Sequence, residues 1–249
     1  MAFLTRLPVP ASVFEGPASS LSQQAATFPL AAALASLPAA LLLGVLAGAG
    51  CNALLSAMLV VALQTVVTGA LHEDGLADCA DGLGGGRDLE QRLSIMKDSR
   101  IGAYGAIALI LSIGIRVSAL TALMLPLSPF GAALVLPVIA AISRAAMVWH
   151  WQALDSARPP GAGIAANAGA PDRDAMFAAI GVAALICIIA LLIALPFHGL
   201  LYAVLAAALS SLAFTSRVRR LLGGHTGDTI GACQQIAEIA AITCLALTV

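Results

Sequence analysis

Apolar residues run through seven stretches of this chain, roughly 28–50, 52–71, 104–125, 130–149, 175–195, 198–215 and 231–249. A helix that crosses a bilayer needs about 20 mostly apolar residues, and each stretch comes close to that length. The pattern predicts an all-α fold, a polytopic bundle of about seven transmembrane helices forming one membrane-embedded domain over residues 1–249. Three connections, 49–52, 126–129 and 196–199, are short, uncharged and marked by Gly or Pro, which predicts tight turns. The segments 1–27, 72–103, 150–174 and 216–230 are longer and polar.

Alternating sides along seven spans puts all four polar segments on one face. Ten of the twelve basic residues then share it: Arg6, Arg87, Arg92, Lys97, Arg100, Arg158, Arg173, Arg217, Arg219 and Arg220. Basic residues in short loops mark the cytoplasmic face, so the polar segments are expected in the cytoplasm. One miscounted helix would scatter these charges over both faces. The first 27 residues carry two charges and several Pro and Gly before the first long apolar run, so no cleavable signal is expected.

Composition agrees with this reading. Apolar residues make up 60% of 249, charged residues 10%, and mean hydropathy is +0.98. A soluble domain carries about 25% charged residues, so the lipid bilayer is the expected partner. A net charge of −1 gives no support to nucleic-acid binding. Five scattered cysteines without a CxxC pair read as inert thiols. Nothing in the pattern decides against a homo-oligomer.

The most informative segment runs from His72 to Gly82, where Asp74, Asp78 and Asp81 stand at i, i+4 and i+7. On a helix they share an arc of about 60°. Neighbours about 6 Å apart repel by roughly 3 kcal/mol at an effective dielectric near 20. A divalent cation removes that repulsion, and oxygen-only ligands suit Mg²⁺ or Mn²⁺. The competing reading is a solvated loop whose acids cap the next helix. Gly75 and Gly82 weaken the helix assumption but permit close approach of a phosphate. Without a His/Cys set, zinc is disfavoured.

The glycine run Gly82-Leu83-Gly84-Gly85-Gly86 is no P-loop, because it lacks GxxxxGK[ST] and a preceding strand. Gly84 and Gly85 could offer backbone N–H groups to an anion or form a plain link. Lys97 and Arg100 precede an apolar run, where they could neutralise a diphosphate or anchor the chain by the positive-inside rule. Arg116 and Arg144 fall inside spans. A mid-bilayer arginine costs about 2.5–3.5 kcal/mol on insertion scales and is a functional candidate. Arg144 is expected to contact substrate, and Arg116 either does so or pairs with a buried acid. The last polar segment, Gly223 to Ala232, sets Asp228 among glycines with Glu238 ten residues beyond. The two acids suit a second wall of one pocket. Asp228 as a plain helix cap is the alternative.

Taken together, these residues resemble the cobalamin synthase family, also called adenosylcobinamide-GDP ribazoletransferase. The resemblance rests on Phe3 to Pro10, Thr27 to Leu30, His72 to Asp78 with Asp81-Gly82, Ile95 to Gly102, Ser143-Arg144 and Gly223 to Asp228. These blocks follow one another along nearly the whole chain. Gln235 stands where some members carry an acid, which leaves Glu238 as the acid there. The resemblance implies an enzyme of the bacterial inner membrane, using Mg²⁺, that joins adenosylcobinamide-GDP to α-ribazole or its 5′-phosphate and releases GMP. On that basis Asp74, Asp78 and Asp81 are expected to hold the metal. Lys97 and Arg100 would neutralise phosphate oxygens, and Asp228 or Glu238 would take the hydroxyl proton or hold a second metal. A CDP-alcohol phosphotransferase shares such chemistry, but its Asp-Gly-x-x-Ala-Arg pattern fails here at Asp78. A secondary transporter would place its acids near the midplane.

Overall fold

The computed structural model describes residues 5–6, 20–159, 161 and 164–249, so most of the Phe3 to Pro10 block lies outside the described residues. Among the described residues all regular structure is helical. The first crossing, Ala25–Gly48, is built from a 3₁₀ turn and two helices, α1 (Phe28–Ala35) and α2 (Leu37–Gly48). Pro29 and Pro38 sit in the first turns of α1 and α2, where a missing N–H costs nothing. Helix α3 (Ala53–Thr68) follows, capped by the Asn52 side chain, which accepts from Leu55 N–H at 3.0 Å.

The chain then turns by 90° into α4 (Leu71–Gly85). Gly69 (φ 64°) and Ala70 (φ 58°) make the turn with two consecutive left-handed residues. Ala70 is the only described non-glycine residue in that region, a conformation that costs an L-residue about 1–2 kcal/mol. The short α5 (Leu89–Ile95) precedes α6 (Ala103–Leu123), α7 (Pro129–Gln152), the brief α8 (Ile164–Ala168), α9 (Arg173–Ile193), α10 (Phe197–Leu222) and α11 (Gly227–Thr248).

Six helical units are individually long and apolar enough to cross a membrane, and the count is seven if the bent α3–α4 pair is one span. The chain is thus a multi-pass membrane protein. Helix α7 is the axis of the bundle: 83% of its apolar window is buried, against 22% for α9 and 28% for α10, whose leucines and isoleucines face outward. Leu43, Val60, Leu120, Val135, Ile139 and Leu245 form the main core. Phe28, Met147, Trp151 and Met176 make a smaller cluster toward the polar-loop end.

The short turns fall together at one end, where Gly131 approaches Ala194 and Gly199 lies against Leu245 and Val249. The polar connections meet at the other end, as the alternation of charge requires. The polar segments themselves are more helical than their composition suggests. Residues 72–103, expected as a connection, hold α4 and α5. Helix α10 runs on through Arg217, Arg219 and Arg220, well past residue 215. Packing explains α4, which is sandwiched between α11 and α6, and tertiary burial overrides the weak helix preference of its glycines.

Candidate active site

The polar-loop end carries a cavity of about 280 Å³ between the start of α4, the end of α7 and the start of α11. Asp74, Asp228 and Arg158 line it together with the apolar Phe28, Met147 and Trp151. Local sequence builds each wall. The run Gly223 to Asp228 ends α10 with left-handed Gly223 (φ 73°) and starts α11 at Thr226. Thr226 and Thr229 cap one another reciprocally, each hydroxyl accepting from the other's backbone N–H at 3.2 and 2.9 Å. Just before them, His225 N–H donates to Asp155 O at 2.7 Å, and Ala157 N–H donates to His225 O at 2.8 Å. A Cβ on Gly224 would stand 2.4 Å from Asp155 O, so this pairing needs the glycine. The pairing delivers Arg158 to Asp228, with Nη2 and Oδ2 at 3.2 Å.

Helix α4 reaches the cavity by an equally close approach. A Cβ on Gly75 would stand 2.8 Å from Asp228 O and 3.4 Å from Gly231 Cα. Only a glycine lets α4 come this near the first turn of α11. Asp74 and Asp78, one turn apart on α4, thereby face Asp228, and Asp78 feels the charges of Asp74, Asp228 and Asp81 with Arg158 opposing them. Among the described residues no ion pair engages Asp74 or Asp78. Nearby, burial pushes His225 down to about 4, so its ring is neutral at pH 7.

Deeper in the bundle lies a separate buried ionic network. Arg116 pairs with Glu73 at 2.9 Å and with Glu238 at 3.1 Å, and Arg144 reaches Glu238 at 3.3 Å. Gln235 accepts from Ser112 at 3.2 Å and from Arg116 at 3.4 Å. The amide at position 235 therefore serves where a third acid would unbalance two arginines. His72 touches both regions, lining the cavity and the small void beside the network, with Nδ1 lacking a partner among the described residues.

Several expected site residues sit elsewhere. Both oxygens of Asp81 accept backbone N–H groups at the start of α6, Gly102 at 2.7 Å and Gly105 at 2.9 Å. Seven helical residues also separate it from Asp74, about 10 Å along the axis. Sharing one face of α4 does not bring the three aspartates to one point. Among the described residues no three His, Cys, Asp or Glu side chains converge to hold an ion. Glu238 is the anionic centre of the deep network and is not in the cavity wall with Asp228. Arg144 is bound to it and is not a cavity contact.

Gly84 and Gly85 close the last turn of α4. A Cβ on Gly84 would stand 2.9 Å from the ring of Tyr104, which marks that glycine as a packing residue rather than an anion cradle. Lys97 and Arg100 are exposed and do not line the cavity; Arg100 holds Asp98 at 2.6 Å and pulls that carboxyl down to about 2. Sequence reasoning missed Glu73, Gly75 and Arg158 as site-building residues. A signal was present for Gly75, since close approach was the stated use for a glycine beside Asp74.

A family model described as cobalamin-5-phosphate synthase matches residues 1–246. The chain belongs to this family. Curated relatives align along nearly their whole length. A protein of Rhizobium meliloti named adenosylcobinamide-GDP ribazoletransferase is 50% identical over all of this chain and 95% of its own. Proteins of the same name from Rhizobium johnstonii and Azorhizobium caulinodans are 48% and 45% identical, over 99% and 96% of this chain and 94% and 90% of theirs. No solved structure matches the chain. Family membership sets aside the CDP-alcohol phosphotransferase and transporter readings.

Proposed function

We propose that this chain is an adenosylcobinamide-GDP ribazoletransferase, acting at the cavity where Asp74 and Asp78 meet Asp228 and Arg158. The observation that carries the reading is this meeting of acids from two distant segments in a cavity also lined by Phe28, Met147 and Trp151, in a chain half identical to proteins of that name. The reaction joins α-ribazole, or its 5′-phosphate, to the cobinamide. A ribazole hydroxyl oxygen bonds to the cobinamide-proximal phosphorus, the bond from that phosphorus to the bridging oxygen breaks, and GMP departs with the electron pair. Asp228 receives the hydroxyl proton. Arg158, the cation of the cavity wall, neutralises non-bridging oxygens.

The donors fit Mg²⁺, which commonly takes one or two carboxylates and completes its shell with substrate phosphates. Asp74 and Asp78 would hold the ion, which would supply charge neutralisation on the diphosphate; Mn²⁺ suits the same oxygens. The excess of basic residues at this end supports a site facing the cytoplasm, by the positive-inside rule, in a bacterial inner membrane.

The test is GMP release from adenosylcobinamide-GDP and α-ribazole by the chain in lipid with Mg²⁺. Asp74→Asn and Asp78→Asn should each lower turnover at least a hundredfold while membrane insertion is unchanged. Near-normal rates in both variants remove them from the chemistry, and no GMP from the unaltered chain removes the enzyme reading.

A further inference from the structure

The two substrates of the proposed reaction differ greatly in size, and the cavity discriminates between them. Ligand sites for drug-sized molecules run from about 300 to 1,000 Å³. A cavity of about 280 Å³ admits a nucleoside and no corrin macrocycle. Its lining combines Asp74, Asp228 and Arg158 with the apolar Phe28, Met147 and Trp151. Phe28 and Trp151 are stacked on one another with ring centroids 6.4 Å apart.

We infer that this cavity is the seat of the ribazole. Its benzimidazole lies against Phe28, Met147 and Trp151, and its ribose turns toward Asp74 and Asp228. The assignment rests on the ribazoletransferase reading and adds which substrate the cavity takes, and in which orientation. The other nucleoside in the reaction, the guanosine of adenosylcobinamide-GDP, suits this wall poorly. Guanine would leave N1–H, the 2-amino group and O6 unpaired against apolar side chains. A dimethylbenzimidazole has no exocyclic polar group, so its faces lie against apolar side chains without stranding a donor or acceptor. The orientation also sets the ribose hydroxyls beside the carboxylates, as attack on phosphorus requires. The diphosphate of the larger substrate then approaches the ribose and the carboxylates, with its corrinoid outside.

Trp149 and Trp151 are the two tryptophans of the chain, and Trp149 lines the groove between α7, α9 and α10 rather than this cavity. Trp149→Phe in lipid nanodiscs leaves Trp151 as the sole reporter, with turnover unchanged. Titrating α-ribazole should quench its fluorescence saturably, and GMP should not. In a second experiment Ile230→Phe, which adds bulk to the half-buried cavity wall, should raise KM for α-ribazole at least tenfold. KM for adenosylcobinamide-GDP should stay within twofold, and the smaller benzimidazole riboside, without the two methyls, should recover most of the loss.

Absence of saturable quenching by α-ribazole overturns the inference whatever the turnover. So does quenching by GMP alone, or an equal KM rise for both substrates. Quenching by α-ribazole without GMP release keeps the nucleoside seat and removes the transferase reading.

Discussion

Neighbouring carboxylates on α4 have unrelated jobs because successive helical residues point about 100° apart. Glu73 turns inward to Arg116, while Asp74 faces the cavity. The expectation that Arg116 pairs with a buried acid is met twice over, by Glu73 and Glu238. Two arginines and two glutamates then balance in charge within the bundle, which is how arginines persist at membrane depth. Removing one partner from such a set costs about 3–5 kcal/mol because it strands the opposite charge. Glu238→Gln should accordingly lower the thermal unfolding midpoint in detergent sharply. Arg144→Met added to Glu238→Gln should restore part of the loss, because it removes a stranded cation. A double variant no more stable than the single would show that stranded charge is not the cause. That these four residues meet was not legible, because Glu73 lies in a segment whose composition reads as a polar connection.

Two left-handed residues, Gly69 and Ala70, decide where α4 points, and the pairing of residues 155–157 with His225 decides where Arg158 points. Both are features of connections, whose sequence shows little beyond glycine content. The second pairing carries a pH signature. His225 is held near 4 by burial, against an ordinary value of 6.5. Between those values the unfolded chain binds a proton that the folded chain refuses, so stability falls as pH drops from about 6.5 to 4 and levels below that. Thermal unfolding midpoints across this range should show the decline, and His225→Gln should make it shallower. An unchanged slope in that variant would place the titration elsewhere. Helix α4 is the other lesson at this scale. Its glycines argued against a helix by propensity, yet Gly75 is what allows the helix to pack closely on α11.

At the scale of the molecule, the partition of charge and the short turns determine the topology. The turn between α2 and α3 belongs to the face opposite the candidate site, and it carries the exposed Cys51. If the site faces the cytoplasm, a membrane-impermeant maleimide applied to intact spheroplasts should label Cys51. Cys51→Ala should abolish the signal; persistent labelling would point to another thiol, and labelling only after lysis would invert the orientation. The sequence by itself determined the all-helical class, the number of crossings to within the bent pair, the common face of the polar segments and the family. These follow from hydropathy, charge and ordered motif blocks, which are local properties summed along the chain. Tertiary structure alone decided which acids share a cavity. It sent Asp81 to the start of α6 and Glu238 to the arginines, and it brought Arg158 to Asp228 across 70 residues of sequence. Spacing along a helix gives the face a side chain occupies. What that face meets depends on the bend at Gly69 and on the close contact at Gly75, and neither is a local property of the chain.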